Sequence, residues 1–468
     1  MSRAARGAVL GLALLLDCSP SQKVLPPTGQ LLLYLDTDAP LPSSSGAATS
    51  ALTPAPLFDR VRFDATPTLD GGPCDCSREF DVTDDRVESG GVSFGVLPPL
   101  AGHGTLRVRL FRGDATVQGE PDPGSTIDVT FALPEVPAEG IVSRTLFLPT
   151  DAVGVPLGAK SPLQTSAGRP NPFHVGTWPG ALRKNCPAAP QEGEVCVPGG
   201  AFWMGNVAAA NAGPDSGNVS RLVVMSPYYL DATEMTVGAY RAEGGECDVP
   251  WSGTTGCDPQ DYCTYTSSPG NNEGLPVNCI EWTQARAVCQ KQGKDLPTEA
   301  QFEYAASGLA GQPYVWGTDI PQCGDVVFER GGYGYFNAYA QECVPMGSGT
   351  TCGGAPAGGL GLGGPLPPKS GMRDQLTIAL PGWTATLYDL IGNIDELTRD
   401  QWNAETDPCW SRPGVYTNPL CSDPTSTEAT ARGGDWTQGA SAALAAQRQE
   451  TPMNVIGPYL GFRCARSP

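Results

Sequence analysis

Sixteen cysteines, two histidines and a few closely spaced carboxylates are the residues of this 468-residue chain with chemistry to offer. A zinc site would want CxxC pairs or a mixture of cysteine and histidine. No CxxC occurs, and the two histidines are His103 and His174. From residue 175 onward there is no histidine base, which excludes Ser/His/Asp and Cys/His nucleophilic catalysis there. Disulfides are the better account of the cysteines, and they imply an oxidising compartment. Cys74 and Cys76 share a short loop with too few other ligands for a metal, and His103 in its Gly-rich turn reads as an exposed ring. Two sets of carboxylates remain. Asp435 and Glu450, near Trp436, could in principle pair as acid and base, although exposed loop carboxylates are far commoner. Asp389 and Glu396 stand seven apart around a Gly-Asn turn, where bonding the turn amides is their plainest role.

The elements that must position these residues centre on Pro276 to Gly308. From Glu281 the apolar residues Trp282, Ala285, Val288 and Cys289 recur at helical spacing, and Gly293 falls where a left-handed cap is wanted. Thr298 opens a second helix, with Gln301 completing a capping box and Glu299 complementing the helix dipole. Phe302, Ala305 and Ala306 form its buried stripe. Earlier, residues 29–155 hold six strand-length runs between turn-rich segments, the pattern of a small antiparallel β-sandwich. Residues 156–195 are Pro/Gly-rich without periodicity and read as a linker. A second domain then spans 196–468, with a Cys-rich insertion from Cys247 to Cys263 and a long Gly/Pro loop from Cys343 to Pro368. Cys409 and Cys421, twelve apart in a polar loop, are a plausible disulfide.

At the N-terminus, Arg3 and Arg6 precede an apolar run from Ala8 to Leu16 that is too short to span a bilayer. Residues 1–18 read as an export signal and 19–28 as a linker. Cys18, directly after the apolar run, resembles a bacterial lipoprotein acylation site, with an ordinary secretory signal as the alternative.

Six phrases of the chain carry a family resemblance: VPGGAFWMG from Val197, SPYYLDATEMTVGAY from Ser226, PVNCIEWTQARAVC…GKDLPTEAQFEYAA from Pro276, LYDLIGNIDELTRD from Leu387, ARGGDW from Ala431 and ETPMNVIGPYLGFRCA from Glu450. In this order they resemble the formylglycine-generating enzymes, or sulfatase-modifying factors, over roughly 196–466. The resemblance implies an α+β domain with little regular structure, distantly similar to C-type lectins, behind the all-β domain. It also implies a copper(I) site made by two cysteines just after the RGGS phrase, since soft thiolates suit that ion. Here Arg432-Gly433-Gly434-Asp435-Trp436 is followed by no cysteine before Cys464, and Gln438 and Ala443 are no substitute. The related sulfoxide synthases bind iron through three histidines, which this domain lacks. No copper or iron is therefore expected. For the Gly-Asn turn the family implies structural calcium held by Asp389, Glu396 and the carbonyls of Gly392 and Ile394. Asp395 and Leu397 stand where aromatic residues are usual. The family further implies a disulfide between Cys289 and Cys464, and places Arg432, Asp435 and Trp436 beside the substrate groove.

A net charge of −20 argues against nucleic acid or an anionic membrane surface as partner. Charged residues make up 17% of the chain, while 59 glycines and 46 prolines describe a loop-rich fold held by turns. The expectation is an exported, lipid-anchored protein of the bacterial envelope. Its second domain binds a peptide, protein or glycan without catalysis, and contact with the membrane is through the lipid alone. A formylglycine-type oxidoreductase acting on protein cysteine is the competing reading, and a purely structural envelope component is a third.

Overall fold

The computed structural model describes residues 29–44, 50–66, 77–96, 105–157, 162–205, 219–246, 263–328, 330, 334–337, 342–345, 364–440 and 442–468. The export signal with Cys18, the linker at 19–28, Cys74, Cys76, His103, the Cys-rich insertion up to residue 262 and the Gly/Pro loop between residues 346 and 363 lie outside them. Strands predominate and helices are few. Among the described residues no helix is long and apolar enough to cross a membrane.

The first block is a two-sheet sandwich. One sheet orders Ser166–Ala167, Ile141–Leu148, Gln30–Thr37 and Ser93–Val96. The other orders Leu163–Gln164, Ile127–Ala132, Thr105–Phe111, Arg60–Thr66 and Ser77–Asp81. Alternation explains the central strand: Leu106, Val108 and Leu110 are buried inward, while Arg107 reaches across to Asp128 at 2.5 Å. All six expected runs form strands. The purely antiparallel expectation is corrected, because Gln30–Thr37 pairs with Ile141–Leu148 in parallel, Leu31 opposite Val142. Ser93–Val96, a short run between Gly and Pro, was not anticipated as a strand.

The linker expectation for 156–195 is also corrected. Its two short strands add to the sandwich edges, Trp178 and Ala181 are buried in the sandwich core, and the Trp178 Nε1–H donates to Asp151 at 2.8 Å. Residue by residue the segment lacks periodicity, yet each isolated apolar side chain finds a partner. Strand Glu194–Val197 begins ahead of the expected boundary at 196, and Cys186 is bridged to Cys196.

Among the described residues the second block is built from small sheets and three helices. The hairpin Gly200–Met204 with Arg221–Met225 alternates between two cores. Phe202, Met204, Val223 and Met225 face this block, whereas Ala201, Trp203 and Leu222 enter the core of the sandwich. A further sheet orders Arg448–Pro452, Glu428–Arg432, Asp395–Gln401 and Leu460–Gly461. Helix Trp282–Lys291 carries a capping box between Glu281 and Gln284, and helix Glu299–Ala306 one between Thr298 and Gln301. Gly293 and Gly308 follow them at φ +72° and +65°, where a Cβ would be strained. Disulfides join Cys263 to Cys279, Cys289 to Cys464 and Cys409 to Cys421.

Candidate functional site

The turn from Asp389 to Glu396 is formed by left-handed residues at Asp389, Gly392 and Asn393. Its carboxylates have partners of their own. Asp389 accepts the Lys369 amide and, at 3.5 Å, the Gly371 amide, while Asp374 accepts the amides of Leu390 and Ile391 at 3.1 and 2.8 Å. Glu396 accepts both ways from Arg463, whose Nε lies 2.9 and 2.7 Å from its two oxygens. The same guanidinium donates to the carbonyls of Asp389 at 2.6 Å and Tyr388 at 3.0 Å. Burial works against the charge on Arg463, but Glu396 more than offsets it and holds the guanidinium protonated. Asn393 donates to Glu234 at 2.9 Å and exchanges hydrogen bonds with Leu366. The Glu234 Oε2 is buried without a donor, and burial followed by the nearby Asp389 raises its pKa well above the ordinary carboxyl value. Amide bonding at the turn, the plain alternative for Asp389, is thus present. Among the described residues no three His, Cys, Asp or Glu side chains converge as a metal cluster.

Arg432, Asp435 and Trp436 do not line a groove, which corrects the expectation for all three. Arg432 is wholly buried, paired with Glu303 and lying 3.4 Å from Glu299, and it donates to the Gln447 carbonyl at 2.9 Å. A guanidinium so placed balances Glu303, which would otherwise be stranded in the core, and shares Glu299 with Arg448. Trp436 packs among Val327, Ile394 and Leu366, with its indole N–H 3.3 Å from the Pro458 carbonyl. Gly434, at φ +75°, brings its backbone so close to the 442 carbonyl that a Cβ would sit 2.8 Å from it. Asp435 is 2% exposed and accepts from the Thr437 amide and hydroxyl at 2.6 and 2.5 Å. Its carboxyl meets that of Asp395, which accepts the Gly434 amide at 2.7 Å. Burial, then the neighbouring Asp435, raises Asp395 well above its ordinary value, which favours the neutral carboxyl at Asp395. Glu450, the other carboxylate considered near Trp436, is instead an exposed strand residue opposite Thr430.

Charges that the sequence placed at a helix surface are also internal. Glu299 is wholly buried against Arg448, and Asp400 accepts the Glu299 and Cys421 amides at 2.8 and 2.7 Å. Burial, with Glu299 beside it, pushes Asp400 up to about 7. Sequence gave no signal for this network beyond the capping position of Glu299. Nor did it indicate a cleft of about 690 Å³ at the turn between the helices, walled by Met225, Pro227, Leu296 and Leu420, with Arg399 and Arg466 among its lining. Its walls come from segments far apart in the chain.

Cys421 and Cys464, the cysteines that bracket ARGGDW in the sequence, are both in disulfides. The family described as "Sulfatase-modifying factor enzyme 1-like domain" matches residues 180–468. The chain belongs to this family. It is 27% identical over 181 residues to a formylglycine-generating enzyme of Streptomyces coelicolor, covering 30% of this chain and 57% of that protein. The chain thus spans little more than half the length of that relative. A formylglycine-generating enzyme of Thermomonospora curvata is 26% identical over 320 residues, covering 60% of this chain and 96% of its own. A bovine protein named inactive Cα-formylglycine-generating enzyme 2 is 52% identical over 44 residues, 9% of this chain and 15% of its own. Among solved structures, PvdO from Pseudomonas aeruginosa aligns with TM-score 0.40 at 18% identity, covering 62% of this chain and 99% of that one.

Proposed function

We propose that this sulfatase-modifying-factor domain is a binding module for a peptide, protein or glycan and not a cysteine oxidase. The observation that carries the reading is the segment after Arg432-Gly433-Gly434, which holds no cysteine before Cys464, itself bridged to Cys289. Oxygen activation on copper(I) needs the soft thiolate pair, and a disulfide sulfur cannot replace it. With Arg432, Asp435 and Trp436 turned into the interior, the cleft beside Leu296 and Arg399 is the proposed ligand site. Export and a lipid anchor at Cys18 belong to the same proposal and rest on the N-terminal sequence.

Structural calcium at the Asp389–Glu396 turn is proposed with it. Glu234, Asp374, Asp389 and Glu396 are buried in mutual electrostatic reach, and Arg463 is the guanidinium acting on Glu234, Asp374, Asp389 and Glu396. Four carboxyls crowded against one guanidinium, with the undonated Glu234 oxygen among them, would suit a hard cation coordinated largely by backbone carbonyls such as those of Gly392 and Ile394. The test of the functional reading is to supply the full chain with copper(I), oxygen and a cysteine-containing peptide. Neither oxygen uptake nor an aldehyde on the peptide is expected. Appearance of the aldehyde would restore the oxidoreductase reading.

A further inference from the structure

We infer that the N-terminal sandwich, residues 29–155 completed by the edge strands, Trp178 and Ala181 of the segment that follows, is the permanent intramolecular cover of one face of the sulfatase-modifying-factor domain, so that the working unit is 29–468 and not the family-matched 180–468 alone. The family domain needs such a cover because its first hairpin is apolar on both faces. Along Gly200–Met204 and Arg221–Met225 the side chains alternate, as strand geometry demands. Phe202, Met204, Val223 and Met225 fill the family core, and this leaves Ala201, Trp203 and Leu222 on the opposite face. Left bare, that second face would be an apolar patch centred on a tryptophan.

The sandwich is shaped to it. Trp203 is 1% exposed, meets the Phe58 ring edge-on at 5.7 Å and donates its indole N–H to the Leu57 carbonyl at 2.8 Å. The Arg112 guanidinium lies 5.9 Å from the centre of the same ring. The exchange runs both ways. Ala51 and Leu52, from the sandwich side, pack against the family core, and Arg183 donates to the carbonyls of Ala51 and Leu309, one on each side of the seam. Backbone also meets backbone: a Cβ built on Gly154 would stand 3.4 Å from the Gly414 nitrogen, and one on Gly124 3.7 Å from the Ser220 carbonyl oxygen. Domains that move on one another are usually joined through a smaller, more polar surface. Here a single core contains side chains of both blocks and satisfies the polar atom of its largest member.

A protease site placed in the full chain between Gly158 and Lys160 tests this without asking either part to fold alone. After cleavage of the folded protein, the two fragments are expected to run as one species in size exclusion and as two bands on a denaturing gel. Elution as two separate species in native buffer would overturn the inference. In the cleaved Trp203→Ala variant the fragments should associate at least ~100-fold more weakly, the scale expected for truncating a buried tryptophan. Unchanged association there would overturn it as well. Should that variant not fold, Trp203→Phe retains most of the apolar contact and removes the donor to Leu57. It should weaken association by about tenfold, the usual scale for one buried hydrogen bond.

Discussion

Removing the bond between Cys289 and Cys464 is the perturbation whose cost follows most directly from the fold. The two residues are 175 positions apart and both are wholly buried, one on helix Trp282–Lys291 and one beside the C-terminal strand. Their link ties the end of the chain to the helix pair and encloses most of the family domain. In the chain-entropy account, closing a loop of that length in the unfolded state is worth about 5 kcal/mol at 25 °C, with engineered removals commonly costing about 2–5 kcal/mol. The Cys409–Cys421 bond lies inside this loop and closes 12 positions, for which the same account gives about 3 kcal/mol. Because that inner bond shortens the outer loop only slightly, the two costs should be nearly independent. The paired variant Cys289→Ala/Cys464→Ala should therefore lose more stability in equilibrium urea unfolding than Cys409→Ala/Cys421→Ala, by about 2 kcal/mol. Alanine is chosen so that no unsatisfied hydroxyl is buried in place of the sulfur. Equal losses, or a loss below about 1 kcal/mol for the longer loop, would refute loop closure as the source of its stabilisation.

Other perturbations test the charges and the anchor. Burial raises Asp400 to about 7, so the native state binds its proton more tightly than the unfolded state does. Stability from this group is full below its ordinary pKa near 4, falls as pH rises toward 7 and is flat above; Asp400→Asn should remove that slope from a series of unfolding curves. Glu194 has the opposite sign. Held at about 2 chiefly by Arg466 against the cost of burial, it adds stability above its ordinary pKa that is lost as pH falls from about 4.5 toward 2, and Glu194→Gln should flatten the acid limb. If calcium occupies the Asp389 turn, a chelator should lower the thermal midpoint and Asp389→Ala should abolish that effect; indifference to chelator would leave the amides and Arg463 as the whole account. Cys18→Ala should move the protein from the membrane to the soluble fraction, and persistence at the membrane would remove the lipid anchor from the reading.

Local rules carried the sequence analysis as far as they act. Thr298 with Gln301, and Gly293 and Gly308 after the two helices, mark boundaries because capping is settled within four or five residues. The strands of the sandwich were legible for the same reason, through period-two alternation such as Leu106, Val108 and Leu110. What alternation cannot report is direction, and the parallel pairing of Gln30–Thr37 with Ile141–Leu148 depends on which neighbour the sheet offers. The hairpin Gly200–Met204 and Arg221–Met225 did carry an unused signal. Runs such as AFWM and LVVM, apolar at every position, are the mark of strands covered on both faces, and they called for a second layer over the family domain.

Charged residues were misread where their partners are distant in sequence. Arg432 and Glu303 are 129 positions apart, and nothing within a turn of either shows that they meet in the core. A lone arginine beside two glycines is therefore assigned to the surface or to a groove by default, as composition alone would have it. Asp395 and Asp435 make the same point from the side of chemistry. In the sequence they stand apart, Asp395 where the resemblance leads one to expect an aromatic residue and Asp435 as a candidate acid/base partner of Glu450 beside a groove. In the fold they lie together, and two carboxyls in one dry site oppose each other's ionisation. The two are thus a matched pair: replacing either alone by a larger or apolar residue strands the other's oxygen, whereas Asp435→Asn leaves a donor for Asp395 to accept. With Arg432, Asp435 and Trp436 all buried, this corner of the domain is closed to solvent, which is why the proposed ligand is better sought at the cleft beside Arg399 than at Trp436.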